Sequence, residues 1–156
     1  MTSPLQEFPE RPPSEVEWED LLVRLEIVPR ALRLAVEDAG DSPRTRDVVA
    51  KAVEREWLVN ELLLPALRDG SPVHLGASAS IQFDGEPDSL ALAEAFTALR
   101  DRNFAQVQRR GLNVWEWRSE VDGGTGQVTA YQMMQWMARS DGETLAEVRA
   151  PGRGNG

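Results

Sequence analysis

The chain has 156 residues, a net charge of −9 at neutral pH, one histidine and no cysteine. Its length fits one domain with a core of its own, and its 41% apolar and 28% charged residues are typical of a globular protein. The lack of cysteine excludes disulfides, thiolate metal ligands and a cysteine nucleophile. The acidic balance disfavours nucleic-acid binding but leaves room for a local basic patch formed by Arg100, Arg102, Arg109 and Arg110.

Residues 1–16 carry four prolines among acidic residues, which predicts an extended arm that lies on the surface without a core of its own. This segment lacks the basic and apolar regions of a secretory signal. The chain also has no run of about 18 apolar residues, as a membrane-spanning helix requires. The sequence therefore predicts a cytoplasmic protein that does not bind a membrane.

Two helices are predicted in the first half of the chain. Residues 18–38 carry apolar side chains at alternating steps of three and four, and Pro29 is expected to kink this helix. A second helix is expected over residues 43–67, because Ser42 suits the N-cap position and Pro43 the first helical position.

Two more helices are predicted after a long connection over residues 69–87. Residues 88–110 place an apolar stripe on one helical face, and residues 129–149 open with Thr129 and Gln132 at capping-box spacing. The glycine-rich stretch DGGTG before the last helix predicts a turn. The predicted fold is all-α, a four-helix bundle over residues 17–150 with a long crossover between helices 2 and 3, followed by a flexible tail.

Polar residues lie on the apolar faces of the second and fourth helices. At about 100° per residue, Ser140, Asp141 and Thr144 share the arc of Met133, Trp136 and Met137. In the second helix, Arg55 and Glu56 lie on the apolar face and Lys51 at its margin. Since buried polar groups need hydrogen-bond partners, these residues form either a site or a structural network.

The last helix, MMQWMARSDGETLAEVRA, resembles the closing signature of DinB/YfiT-like four-helix bundles, whose usual form is H-D-x-x-H-x-x-Q. The stretch VVAKAVEREW of the second helix is similar to that family's V-L-x-H-L-x-D-x-E. Helix order, the long crossover and the T-x-x-Q opening of the last helix agree as well, so the resemblance covers residues 18–150. It implies a DinB/YfiT-type bundle in which three histidines bind a divalent metal, often zinc or nickel. Some members of that family are thiol-dependent S-transferases or isomerases.

None of the three histidines of that family is present at its position. Lys51, Ser140 and Thr144 stand where the resemblance places them, Asp141 is kept, and Glu147 replaces the final glutamine. A zinc site of this type needs neutral imidazole nitrogens, whereas an ammonium repels a cation and neutral hydroxyls are poor ligands. The only histidine, His74, lies in the connection. The resemblance therefore predicts a degenerate metal site with no metal and no cofactor.

Two hypotheses of function follow. The first is a non-catalytic binding or interaction protein, stress-related and, as the resemblance implies, homodimeric. The second is a metal-independent, thiol-dependent S-transferase that uses an interior pocket. The candidate pocket, for a small anionic or thiol ligand, is formed by Lys51, Arg55, Glu56, Trp136, Ser140, Asp141 and Thr144.

Lys51 is predicted to occupy the space of the lost metal and to pair with Asp141 or Glu56. In the second hypothesis, Lys51 or Arg55 would hold the anionic group of the substrate. An interior cavity of ligand size would favour a ligand-binding protein, and a filled interior would favour a structural network.

Overall fold

The computed structural model describes residues 4–74, 81–109, 114–121 and 126–150. The chain is mostly helical, which confirms the predicted all-α class. Within the described ranges, no helix combines the length and apolar character needed to cross a bilayer. The helices are α1 (Glu15–Ala39), α2 (Pro43–Leu58), α3 (Leu64–Asp69), α4 (Ser89–Arg109) and α5 (Ala130–Arg149). Short 3₁₀ helices cover Pro4–Glu7 and Val114–Glu116, and strands β1 (Arg118–Glu120) and β2 (Gln127–Thr129) pair antiparallel.

Side-chain caps determine where three of the helices begin. The hydroxyl of Ser14 accepts a hydrogen bond from the Glu17 amide, so α1 begins three residues before its predicted start. Ser42 caps α2 as predicted, and Thr129 caps α5 in the predicted capping box with Gln132. Pro29 is buried inside α1 and does not end the helix.

A π-helical turn, Val59–Leu63, joins α2 to α3 and interrupts the single helix predicted over residues 43–67. Pro65 explains the turn, because it has no amide hydrogen and its ring would crowd the carbonyl of Glu61 in a regular helix. The Leu64 amide instead donates to the carbonyl of Val59, five residues back. The wider turn changes the helical phase, and Leu62 within it is 42% exposed.

The core lies between two pairs of helices. α1 and α2 each pack against α4 and α5, and α2 contacts α4 although a long connection separates them in the chain. Buried apolar residues form two clusters. The first apolar cluster includes Leu25, Val59, Phe104 and Met133, and the second includes Leu32, Val49, Phe96 and Val148.

The N-terminal arm docks on the start of α5. The side chain of Gln132 donates to the carbonyl of Phe8 at 2.8 Å, and the hydroxyl of Thr129 donates to the carbonyl of Glu10 at 2.6 Å. Leu5 is buried in the first apolar cluster, so the arm contributes to the core, which the sequence did not predict. The predicted tail, 151–156, lies outside the described residues, as do 122–125 in the predicted turn.

Candidate functional site

A fully buried guanidinium occupies the interior between the two apolar clusters. Arg100 lies on the inward stripe of α4, between Phe96 of the second cluster and Phe104 of the first, and its side chain is 1% exposed. Its Nε donates to Oε1 of Glu56 at 2.5 Å, and its Nη2 donates to Oε2 of the same residue at 3.0 Å. This is the bidentate geometry in which a guanidinium binds a carboxylate most strongly.

The same guanidinium reaches two other helices. Nη2 of Arg100 donates to both carboxylate oxygens of Asp141 on α5, at 2.9 and 3.0 Å. Nη1 donates to the main-chain carbonyl of Leu25 on α1 at 2.7 Å. One side chain of α4 therefore joins α1, α2 and α5.

Three further polar residues surround this centre. The amide of Asn103 donates to Oε1 of Glu56 at 3.1 Å and to the Glu56 carbonyl at 3.2 Å. Nη2 of Arg55 donates to the Thr144 hydroxyl at 3.2 Å and lies 3.8 Å from Oδ1 of Asp141. The six residues Arg55, Glu56, Arg100, Asn103, Asp141 and Thr144 are called the buried ion cluster below. Its two guanidinium groups balance its two carboxylates.

Burial and pairing act in opposite directions on the charges of the cluster. Burial acts to lower the pKa of Arg100, but the carboxylates of Glu56 and Asp141 outweigh it and raise that pKa above its ordinary value. Burial lowers the pKa of Arg55 and raises the pKa of Asp141, and the neighbouring opposite charges offset both shifts only in part. An arginine keeps its charge in proteins, so both guanidinium groups hold positive charge inside the fold.

The interior beside the cluster is nearly filled. A cavity of about 10 Å³ lies there, lined by Leu25, Arg100, Asn103 and Met133 among others. That volume holds about one water molecule, whereas pockets for small molecules usually measure roughly 300–1,000 Å³.

The structure brings together four of the seven predicted pocket residues. Arg55, Glu56, Asp141 and Thr144 all belong to the buried ion cluster. Trp136 is half-buried and packs against the first apolar cluster. Ser140 is also half-buried, and within the described part of the chain its side chain makes no hydrogen bond to the cluster.

The prediction for Lys51 is wrong. Its side chain is 72% exposed, and its Nζ lies 3.3 Å from Oδ2 of Asp47 on the surface of α2. Glu56 is fully buried and lies five residues further along the helix. Five residues correspond to about 140° around a helix, so Lys51 points to solvent when Glu56 points inward.

The central residue, Arg100, was not predicted as part of the site. The sequence places it in a candidate basic surface patch, and its burial corrects that hypothesis. The sequence does contain an indication that Arg100 is buried. Arg100 follows Phe96 by four residues and precedes Asn103 by three, so it lies beside the apolar stripe of the third predicted helix. A charged residue within such a stripe indicates a buried partner of opposite charge.

The cluster does not fit a divalent metal. Among the described residues, no group of three or more histidine, cysteine, aspartate or glutamate side chains is arranged to hold one. Both carboxylates of the cluster already accept hydrogen bonds from Arg100, whose positive charge would repel a metal ion at that position.

Comparisons of the chain with protein-family models, with curated proteins and with solved structures found no match. A function for this protein therefore rests on the residues described above. The most informative of them are those of the buried ion cluster.

Proposed function

We propose that the protein is a non-catalytic, cytoplasmic interaction protein built on a DinB/YfiT-type four-helix bundle with a degenerate metal site. The signature-like stretch of the last helix supports this proposal, as does the packing of α1 and α2 against α4 and α5. The stretch of the second helix supports it less, because Lys51 at its ligand position lies on the surface. In this bundle α2, the π-helical turn and α3 together form the second helix, and the connection to α4 is the crossover.

The observation that carries the proposal is the position of the Arg100 guanidinium. It supplies one fixed positive charge in the interior, bound by carboxylates from α2 and α5, and so cross-links helices as a structural metal would. A catalytic metal site, by contrast, keeps an open coordination position for water or substrate. A guanidinium has no such position, and it neither accepts a hydrogen bond nor gives up its proton.

The cavity volume favours this function over the S-transferase alternative. A thiol substrate with an anionic group needs an interior pocket, and the cavity beside the buried ion cluster measures about 10 Å³. Lys51, one of the two proposed anchors, lies on the surface. Arg55, the other, already binds Thr144 and lies close to Asp141.

Metal content and ligand-induced stabilisation test the proposal. Purified, dialysed protein should contain far less than one transition metal ion per chain. Its melting temperature should not change with zinc, nickel or a small thiol such as free cysteine. A ligand present at 100 times its dissociation constant would stabilise the fold by about 2.7 kcal/mol, which thermal unfolding detects easily.

Stoichiometric zinc or nickel that survives dialysis would contradict the metal-free proposal, and stabilisation by the thiol would favour the enzyme. His74→Ala is the matched control, because it separates a metal held at the only histidine from one held in the interior. A metal that remains bound in His74→Ala and is lost in Asp141→Asn would lie at the buried ion cluster.

A further inference from the structure

The outer face of α1 carries an apolar row that nothing in the described part of the chain covers. Val16, Val23, Ile27 and Leu34 are between 54% and 64% exposed. They are spaced by seven, four and seven residues, which places them within about 40° of arc on the helix surface. Single exposed apolar residues are ordinary, but an aligned row about 27 Å long is typical of a surface that binds another helix.

Two exposed charged residues complete the row at helical-seam spacing. Asp20 lies between Val16 and Val23, and Arg30 lies between Ile27 and Leu34. The row then follows alternating steps of four and three residues, which is the seam pattern of a coiled coil. These six residues, Val16, Asp20, Val23, Ile27, Arg30 and Leu34, are called the α1 seam. Pro29 is buried on the opposite face of the helix and does not interrupt it.

We infer that the α1 seam binds the α1 seam of a second copy of this chain, with the two helices antiparallel. The seam is symmetric about the position of Leu25. An antiparallel pair centred there places Val16 opposite Leu34 of the second copy and Val23 opposite Ile27. Each contact occurs twice, as a two-fold interface requires.

The charges select this orientation. Asp20 and Arg30 lie at equal distances from the centre, so the antiparallel pair forms two Asp20–Arg30 contacts between the copies. A parallel pair would instead place Asp20 against Asp20 and Arg30 against Arg30. Like charges across an interface are costly, and opposite charges specify register.

Two features limit the strength of the pair. One helix from each copy makes a small interface, below the roughly 800 Å² per partner of a standard complex. Near the two-fold axis, Arg24 on one edge of the seam faces Arg24 of the second copy, and Glu26 on the other edge faces Glu26 of the second copy. Both are like-charge contacts, which weaken the pair. The dimer is therefore expected to depend on concentration. The inference goes beyond the proposed function, because the seam faces solvent and the buried ion cluster lies on the other side of α1.

Charge exchange at the seam tests the inference. The expected result is a concentration-dependent dimer in sedimentation velocity from low micromolar to near-millimolar protein. Asp20→Arg alone and Arg30→Asp alone each create two like-charge contacts, and each should raise the dissociation constant by about 100-fold or more. The double variant with both changes should dimerise again. An equimolar mixture of the two single variants should form a heterodimer, because every contact in the mixed pair joins opposite charges.

A matched apolar control separates the seam from general surface hydrophobicity. Ile27→Ser should abolish the dimer, whereas Leu62→Ser, at the exposed leucine of the π-helical turn, should leave it unchanged. Every altered side chain is exposed, so all variants are expected to fold. Thermal unfolding followed by circular dichroism verifies this. A wild-type chain that stays monomeric throughout the range would overturn the inference. Equal dimerisation of wild type and single variants, or a mixture that stays monomeric, would overturn it as well.

Discussion

Arg100 on α4 and Lys51 on α2 both make ion pairs, yet the side chain of Arg100 is 1% exposed and that of Lys51 is 72% exposed. The pairing distances are similar, at 2.9 Å from Arg100 to Asp141 and 3.3 Å from Lys51 to Asp47. Their energetic consequences differ because bulk water can replace the partner of Lys51, whereas Arg100 is shielded from bulk water. Burial, and not the length of the ion pair, decides what each charge contributes.

The buried ion cluster also differs from the apolar clusters on either side of it. Apolar contacts are not directional and tolerate sliding or rotation of one helix against another, whereas the Arg100 fork meets its partners at fixed positions on α1, α2 and α5. A buried ion pair is weak evidence of stability, but it can specify register. For this protein we therefore expect the cluster to set the axial and rotational alignment of the helices, a hypothesis that the variants below test.

Removal of Arg100 should have the largest effect. Arg100→Met keeps most of the side-chain volume but leaves the carboxylates of Glu56 and Asp141 buried without their main cation. The free energy of unfolding should fall by about 3–5 kcal/mol, measured by urea denaturation at neutral pH. Arg33→Met is the surface control, because Arg33 pairs with Glu37 at 3.2 Å while 54% exposed, and it should change stability by less than about 0.5 kcal/mol. A loss below about 1 kcal/mol for Arg100→Met would mean that water reaches the carboxylates.

Simultaneous replacement of Glu56, Arg100 and Asp141 should restore much of the free energy of unfolding that Arg100→Met loses. The triple variant Glu56→Leu, Arg100→Met and Asp141→Val removes the three fully buried charges together. Asn103 keeps its bond to the Glu56 carbonyl, and Arg55, which is 16% exposed and donates to Thr144, is the one charge of the cluster that remains. Such replacements are often neutral or stabilising by about 1–4 kcal/mol relative to the native pair.

The same variant tests whether the cluster sets helix alignment. If it does, amide NMR spectra of the stable triple variant should lose uniformity and show broadened or doubled peaks for core residues. A triple variant as unstable as Arg100→Met would show that apolar side chains do not pack in this layer. A stable variant with a single sharp set of peaks would show that the apolar clusters align the helices without it.

Local signals in the sequence predicted much of the fold. Ser42 with Pro43, and Thr129 with Gln132, place the starts of α2 and α5 correctly, because capping depends on neighbouring residues alone. The π-helical turn was not predicted, although Pro65 disfavours a regular helix at that point. A proline can end, kink or widen a helix, and the choice depends on the tertiary packing around it.

The candidate site was predicted only in part, because tertiary packing again decides between alternatives that the local sequence leaves open. The helical phase of α5 placed Asp141 and Thr144 inward correctly. In α2 both Arg55 and Glu56 were predicted to lie on the apolar face, whereas Val49, Ala52, Val53 and Glu56 are fully buried and Arg55 is 16% exposed. A small rotation of α2 about its axis buries a similar apolar area. The sequence pattern of α2 alone therefore could not exclude that Lys51 points inward. The partner that decides the phase, Arg100, lies on another helix.

Gly142 offers a smaller test of the same helical phase in α5. It directly follows the buried Asp141 but is exposed, and a Cβ added there meets nothing within 4 Å. Gly142→Ala should therefore raise the free energy of unfolding by about 0.5–1 kcal/mol, because alanine loses less backbone entropy in a helix. Gly70→Ala is the opposite control, since Gly70 ends α3 with a left-handed φ of +71° and the change should destabilise. Destabilisation by Gly142→Ala in urea denaturation would indicate that another chain covers this face.

Lys51→Met should have the smallest effect and completes the comparison with Arg100. The ammonium lies in solvent and pairs with Asp47 one turn earlier, an arrangement worth about 0.3–0.5 kcal/mol on a helix surface. Loss of the pair should be offset in part by the good helix propensity of methionine, so the free energy of unfolding should change by less than about 0.5 kcal/mol. Addition of salt should reduce even this difference, because exposed charges are screened. A salt-insensitive loss of several kcal/mol in the same urea titration would place the ammonium inside the fold and refute the outward orientation of Lys51.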